Sequence, residues 1–182
     1  MVAPWQTISS RTVLADRWIN LRADDCRTGE GTPIAPYYVL TYPDFVNVVA
    51  LTPDNHIVLV EQYRHGAGVS VLELPGGMMD PGDADPVAAA QRELREETGF
   101  AGATWQRVSS LYPNPATQTN LSHTVLAMGC HLAGNKALEA GEEGMQTRCL
   151  PVAEVVAGLR SGLLGQAMHV AGLLLALQVA KS

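Results

Sequence analysis

The stretch Glu73–Phe100, ELPGGMMDPGDADPVAAAQRELREETGF, joins a glycine turn to an acidic helix, and the rest of the chain is organised around it. At about 100° per residue, the offsets i, i+3 and i+4 put Glu93, Glu96 and Glu97 on one helical face. Three like charges that close repel one another. Two arrangements relieve the repulsion: a hard divalent cation among the carboxylates, which suits Mg²⁺ or Mn²⁺ rather than zinc, or an exposed helix salt-bridged through the flanking Arg92 and Arg95. Before the helix, Gly76 and Gly77 permit positive φ and close approach of the backbone to a ligand. Asp85 or Asp83 is placed to cap the helix, Pro86 fits its first turn and Gly99 ends it.

These residues resemble the Nudix hydrolase signature: a glycine, five residues, Glu, seven residues, then REUXEEXGU with U a bulky apolar residue. Arg92 to Phe100, RELREETGF, matches the second half in full. The first half departs from the pattern. Gly77 leads after five residues to Asp83 instead of Glu, and eight residues separate Asp83 from Arg92. LPGG and DPG favour this register, with one residue inserted near Asp83–Asp85 and Asp83 serving as the structural acid of the motif. The alternative register would put Ala84 and Met78 at the Glu and Gly positions. The resemblance implies an α/β/α sandwich around a mixed sheet. It also implies a metal set of Glu93 and Glu97, with Glu96 shared and the Gly76 carbonyl as a fourth oxygen, while Arg92 orients the glutamates.

The remaining composition bounds partners and compartment. A length of 182 residues is enough for one substantial core. A net charge of −6 argues against nucleic acid as the main partner, since such binders neutralise phosphates with basic patches. Cys26, Cys130 and Cys149 are odd in number and lack CxxC spacing, so neither a disulfide framework nor a structural zinc site is expected. The N-terminus lacks a basic region followed by an apolar core, and the apolar run Val170–Leu177 is far shorter than the roughly 20 residues that span a bilayer. The expectation is a cytoplasmic protein without membrane attachment.

Along the chain, β-like segments around Thr12–Leu14, Trp18–Ala23 and Pro36–Tyr42 flank the turn Thr28–Thr32 and suggest short N-terminal antiparallel strands over residues 1–45. The main domain then occupies residues 46–182. Val46–Thr52 and Ile57–Tyr63 are β-branched runs joined by Pro-Asp-Asn, the signature of a hairpin. Further strands are expected at Val71–Leu74, Trp105–Leu111, Ser122–Met128 and Met145–Leu150, with loops over Tyr112–Gln118 and Ala133–Gly144. Helices over about Val152–Ser161 and Gln166–Ala180 close the chain, the second apolar enough on most faces to pack on a sheet. Helices between and after the strands fit helices covering a mixed sheet.

Within the family, the chain looks most like the ADP-ribose pyrophosphatase branch. The matching residues are Gln62, Tyr63 and Arg64, then Glu73, Leu74 and Pro75, then Asn114 and Pro115. The polar stretch Ala116–Asn120 stands where the branch usually continues with Gly and an acidic patch. The resemblance implies hydrolysis of the diphosphate in ADP-ribose or a related nucleotide sugar, Mg²⁺ with Mn²⁺ as the alternative, and a homodimer through N-terminal elements. Arg64, Glu73 and Pro115 are the expected substrate-binding residues; a surface salt bridge is the plainer reading of Arg64. Catalytic candidates are Glu143, Glu142 and Glu96. A loop Glu before the last strand serves as base in the resemblance, and counting back from Leu150 and Pro151 favours Glu143 over Glu142. The competing function is a catalytically weak nucleotide-binding or sensing module, which the complete carboxylate set disfavours and the shifted first half favours. His65, His123, His131, Trp18, Trp105 and the thiols read as structural residues.

Overall fold

The computed structural model describes residues 2–181. The chain forms two compact units. The smaller comprises the chain up to Pro43 together with Tyr112–Leu121; the larger comprises Asp44–Leu111 and the chain from Ser122 onward.

In the smaller unit, β1 (Gln6–Ala15), β2 (Asn20–Arg27) and β3 (Pro33–Leu40) form an antiparallel sheet in that order. They are longer than the sequence patterns suggested. Trp18 falls in the turn between β1 and β2, where the Asp16 carboxylate accepts the Trp18 and Ile19 amides at 2.7 and 2.9 Å. The segment Tyr112–Leu121 joins this unit through β3: the Leu40 amide donates to the Thr117 carbonyl at 2.7 Å, and the Tyr37 hydroxyl donates to the Ala116 carbonyl. Every residue of β1 is exposed.

The larger unit holds a seven-stranded sheet. Its elements are β4 (Phe45–Leu51), β5 (His56–Arg64), β6 (Val69–Glu73), β7 (Gly76–Met78), β9 (Thr104–Leu111), β10 (Ser122–Met128) and β12 (Gln146–Pro151). The order is β12-β5-β4-β10-β9, with β6 pairing β5 and β7 pairing β4. Only β4 and β10 run parallel. A two-residue pair, β8 (Phe100–Ala101) and β11 (His131–Leu132), lies outside this sheet.

The predicted hairpin is β4–β5, with Asn55 at φ 62° in its turn. Strand alternation explains the layers, because successive side chains point to opposite faces. Val46, Val48 and Ala50 pack with Ala89, Ala90 and Leu94 of α1 (Pro86–Thr98). Val49, Leu51, Ile57 and Leu59 pack on the other face with Val155 of α2 (Val152–Gly158) and Leu173 and Ala176 of α3 (Ala167–Val179). The result is the expected α/β/α sandwich. Although α3 is apolar nearly all round, its buried stripe is His169, Gly172, Leu173 and Ala176, and Leu174 on another face is exposed.

Candidate functional site

Local chemistry fixes both ends of α1. Asp85, not Asp83, is its cap: one carboxylate oxygen accepts the Val87 and Ala88 amides at 2.8 and 2.9 Å, a contribution of about 1 kcal/mol. Gly99 closes the helix at φ 77° with its amide on the Arg95 carbonyl. So anchored, α1 presents its carboxylate face to the chain that precedes it.

That preceding chain is more regular than a turn. Gly76–Met78 pairs with Phe45–Asn47 as β7, which brings the glycines against both the sheet and the helix. Gly76 sits at φ 150°, and a Cβ there would lie 2.1 Å from the Val46 carbonyl oxygen. Gly77 is required for a different reason, since its Cβ would meet Glu93 Oε1 at 2.6 Å. Gly76 thus lets two strands' backbones meet and Gly77 lets the Glu93 carboxylate approach, while the Gly76 amide donates to Glu97 Oε2 at 2.8 Å.

Glu97 is 1% exposed and Glu93 7%. Burial pushes the Glu97 carboxyl up to about 8, against the pull of the Gly76 amide, and the charges of Glu93 and Glu142 push the same way. Burial likewise pushes Glu93 up to about 7, against Arg92. Both groups thus resist carrying charge unless a cation joins them.

Arg92 organises the exposed side of this face. Its Nη1 donates to Glu93 Oε1 at 2.9 Å and Glu96 Oε2 at 3.2 Å, while Nε and Nη2 donate to the Asp83 carboxylate at 3.2 and 2.9 Å. Nη2 also reaches the Met78 carbonyl at 3.2 Å. The Arg92 guanidinium in turn holds the Asp83 carboxyl below the usual carboxylate range.

Arg64, at the end of β5, donates through Nε and Nη2 to Glu73 Oε2 at 2.9 and 2.7 Å, and Gln62 adds a donor at 3.2 Å. Glu73 is buried whereas the Arg64 side chain is 45% exposed. The carboxylate therefore faces the protein and aims the guanidinium, leaving Arg64 the half of the pair open to an anion.

The two loop glutamates separate. Glu142 closes a short 3₁₀ turn, Ala140–Glu142, and its Oε2 accepts the Glu139 amide at 2.9 Å. Its charge acts on both Glu93 and Glu97. Glu143 instead lines a groove of about 190 Å³ with Gln62, Tyr63, Ser70 and Gln146. Pro115 belongs to the smaller unit, where Asn114 organises its turn by accepting the Ala116, Thr117 and Gln118 amides.

The other candidates have structural surroundings. His123 bridges Ser110 Oγ at 2.8 Å and Asp44 Oδ2 at 3.1 Å. Trp105 packs on the α1-side core, and Trp18 is exposed beneath the Arg17 guanidinium. Burial pushes the Cys130 thiol up to about 11, away from reactivity. One residue escaped the sequence patterns altogether: His169 Nδ1 accepts the Leu74 amide at 3.1 Å, directly before the glycines. Its only signal was a lone polar residue on the apolar stripe of α3.

A model of the NUDIX domain matches residues 41–167, and a model of the nucleoside diphosphate sugar hydrolase N-terminal domain matches residues 5–40. The chain belongs to the Nudix family. This Nudix protein is 32% identical to an ADP-ribose pyrophosphatase of Mycobacterium tuberculosis, over 93% of this chain and 82% of that protein. It is also 32% identical to a methanol dehydrogenase activator of Bacillus methanolicus, over 72% of this chain and 70% of the relative. A crystal structure of an ADP compounds hydrolase shares its fold with a TM-score of 0.86, at 23% identity, over all of this chain and 96% of that one.

Nudix hydrolases generally use a divalent metal ion. The donor set of this chain suits one: carboxylate oxygens, two of them on side chains whose burial raises their proton affinity. Among the described residues no three acidic groups stand already converged on one point. Glu93 and Glu96 are hydrogen-bonded to Arg92, and Glu97 to the Gly76 amide. No helix among the described residues is long and apolar enough to cross a membrane.

Proposed function

We propose that this Nudix protein is a Mg²⁺-dependent hydrolase of ADP-ribose or a related nucleoside diphosphate sugar, releasing a nucleoside monophosphate and a sugar phosphate. The observation that carries the reading is the buried Glu93–Glu97 pair against the Gly76 backbone, on a chain whose first strands match the N-terminal domain of nucleoside diphosphate sugar hydrolases. Relatives named ADP-ribose pyrophosphatase support the substrate class.

In this reading Glu93 and Glu97 are the principal ligands, with Glu96 and the Gly76 carbonyl completing the oxygen set. Mn²⁺ is the alternative ion. A bound divalent ion neutralises charge on the diphosphate. Arg64, aimed by Glu73, offers paired donors to a phosphate. Arg92, held by Asp83, keeps Glu93 and Glu96 facing the site. A loop glutamate takes the proton of the attacking water. The charge of Glu142 already reaches Glu93 and Glu97, which supports Glu142 for that role, and Glu143 for the groove beside Tyr63.

The same reading includes a cytoplasmic homodimer. Ile8, Val13 and Leu14 on the fully exposed β1 are apolar groups that a second copy would cover. Sedimentation at micromolar concentration tests this, and a single 19.4 kDa species would reject the dimer.

The function is tested by product analysis with ADP-ribose, GDP-mannose, UDP-glucose, NADH, diadenosine polyphosphates and nucleoside triphosphates, with Mg²⁺, with Mn²⁺ and with chelator. Metal-dependent cleavage of a nucleotide sugar is expected. Triphosphates preferred by about tenfold over every sugar, a margin of about 1.4 kcal/mol in transition-state stabilisation, would overturn the substrate class.

A further inference from the structure

We propose that His169 is a positioning residue for the hydrolysis proposed above, its imidazole holding the Leu74 amide and so setting the Pro75–Gly76 backbone on which Glu97 rests. The inference rests on that functional reading and adds a residue the Nudix motif does not contain.

β6 pairs with β5 along one side, Val60 opposite Glu73 and Glu61 opposite Leu72. Along its other side runs the chain entering α3: Leu72 bridges Leu164, and the Gly165 amide donates to the Leu72 carbonyl at 3.4 Å. The next donor on that side is the Leu74 amide. Opposite Leu74 the facing chain has reached Gln166, the cap of α3, whose carbonyl already accepts the Val170 amide at 3.1 Å. The His169 ring takes the place of the missing ladder acceptor at 3.1 Å.

Both partners are buried, Leu74 at 1% exposure and His169 at 8%, so without the ring a buried amide would lack its acceptor. An accepting Nδ1 requires the proton on Nε2, which makes His169 a neutral acceptor in this role.

The consequence reaches the site through consecutive restraints. Glu73 is tied to Arg64, the Leu74 amide to His169, the Pro75 carbonyl to the Val48 amide at 2.8 Å, and the Gly76 amide to Glu97 at 2.8 Å. Peptide planes are rigid and each residue has two soft torsions, so freeing Leu74 lets the plane leading into Gly76 tilt. Gly76 is the residue least able to resist this by itself, because it has no Cβ to limit its torsions.

The test compares His169→Leu, which removes the acceptor, with His169→Asn, whose Oδ1 falls near the place of Nδ1. Leu173→Ala is the control for a destabilised α3 that leaves this hydrogen bond in place. Readouts are Leu74 amide exchange, Mg²⁺ and Mn²⁺ affinity of the substrate-free protein by calorimetry, and kcat and KM for ADP-ribose well below each variant's Tm. His169→Leu is expected to speed Leu74 exchange, weaken cation binding and lower kcat, each by about tenfold, with KM changed less. His169→Asn is expected to stay within about threefold of the parent, and Leu173→Ala to lower Tm without lowering kcat.

A folded His169→Leu that keeps cation affinity and kcat within about twofold, or a Leu173→Ala that loses as much kcat, overturns the proposal. If His169→Leu does not fold, His169→Gln, with its acceptor one methylene further out, replaces it and must lose at least about threefold where Asn does not. Absence of any nucleotide-sugar cleavage by the parent protein would defeat the functional reading; cation affinity and Leu74 exchange would still decide the role of His169.

Discussion

The Asp83 carboxylate accepts two donors of Arg92, Nε at 3.2 Å and Nη2 at 2.9 Å, while the remaining donor arm of the same guanidinium spans Glu93 and Glu96. This paired geometry explains how the motif tolerates Asp where its relatives' pattern has Glu. The shorter side chain lies on a loop one residue longer and still reaches Arg92. Asp83→Ala is therefore expected to cost about 2 kcal/mol of stability, the value of charged hydrogen bonds lost from a mostly buried acceptor. It should also lower kcat, because Arg92 is then free to rotate away from Glu93. Urea denaturation and steady-state kinetics check both. An Asp83→Ala variant with parental stability would show that Arg92 is held without Asp83.

How much of this was legible follows from the range of each interaction. Asp85, Pro86, Gly99 and the three glutamates act within a few residues of themselves, and helix periodicity placed them correctly. The sequence offered Asp83 and Asp85 equally as caps; only the path of the loop separates one that binds amides from one that binds Arg92. Gly77 looked like a flexible turn residue, but its requirement is space beside Glu93, sixteen residues on, and is set by strand pairing. Glu73 is expected from the resemblance among the substrate-binding residues; that it is buried and paired with Arg64 depends on the β5–β6 pairing, which no local pattern shows. The His169–Leu74 contact spans 95 residues and has no local pattern at all.

Glu97 is buried, and its carboxyl is held up to about 8 by burial, so its charge is unfavourable until a cation arrives. Glu97→Gln keeps the shape and leaves an oxygen for the Gly76 amide. The metal-free variant should therefore be at least as stable as the parent at neutral pH. Added Mg²⁺ should raise the parent's Tm, because an ion that binds only the folded state stabilises it, and should leave the variant's Tm nearly unchanged. Turnover should fall by at least about a hundredfold, some 2.7 kcal/mol. Scanning calorimetry with and without Mg²⁺ checks the stability, and a variant that still responds to the ion would remove Glu97 from the ligand set.

His169 should also contribute to acid sensitivity. Burial, with the nearby Arg64 charge, holds it down to about 3, far below its ordinary value of 6.5. The folded state thus resists protonation that the unfolded chain accepts below pH 6.5. Its contribution is fully present above pH 6.5 and is lost as pH falls toward 3, at about 1.4 kcal/mol per pH unit. Between pH 6.5 and 5 the parent should lose about 2 kcal/mol more than His169→Asn, which cannot titrate. Urea denaturation at the two pH values measures the difference, and parallel losses would mean the acid sensitivity lies elsewhere.

The loop glutamates give the sharpest division, because their surroundings differ although they are adjacent. Glu142 is held by the Glu139 amide, and its charge acts on Glu93 and Glu97; Glu143 faces the groove with Gln62 and Tyr63. A base must meet the water beside the scissile bond, whereas a groove residue meets the substrate away from it. Glu142→Gln is accordingly expected to lower kcat by about a hundredfold while KM stays within about threefold, and Glu143→Gln to raise KM more than it lowers kcat. Cation affinity should be unchanged in Glu143→Gln and only modestly lower in Glu142→Gln, whose charge acts on Glu93 and Glu97 from outside the proposed ligand set. Steady-state kinetics on ADP-ribose with calorimetric titration of Mg²⁺ separates the roles. The reverse pattern, with Glu143→Gln losing kcat alone, would assign the base to Glu143 as counting back from Leu150 and Pro151 suggests. Mg²⁺ binding lost in either variant as fully as in Glu97→Gln would instead make that glutamate a ligand and move the base elsewhere.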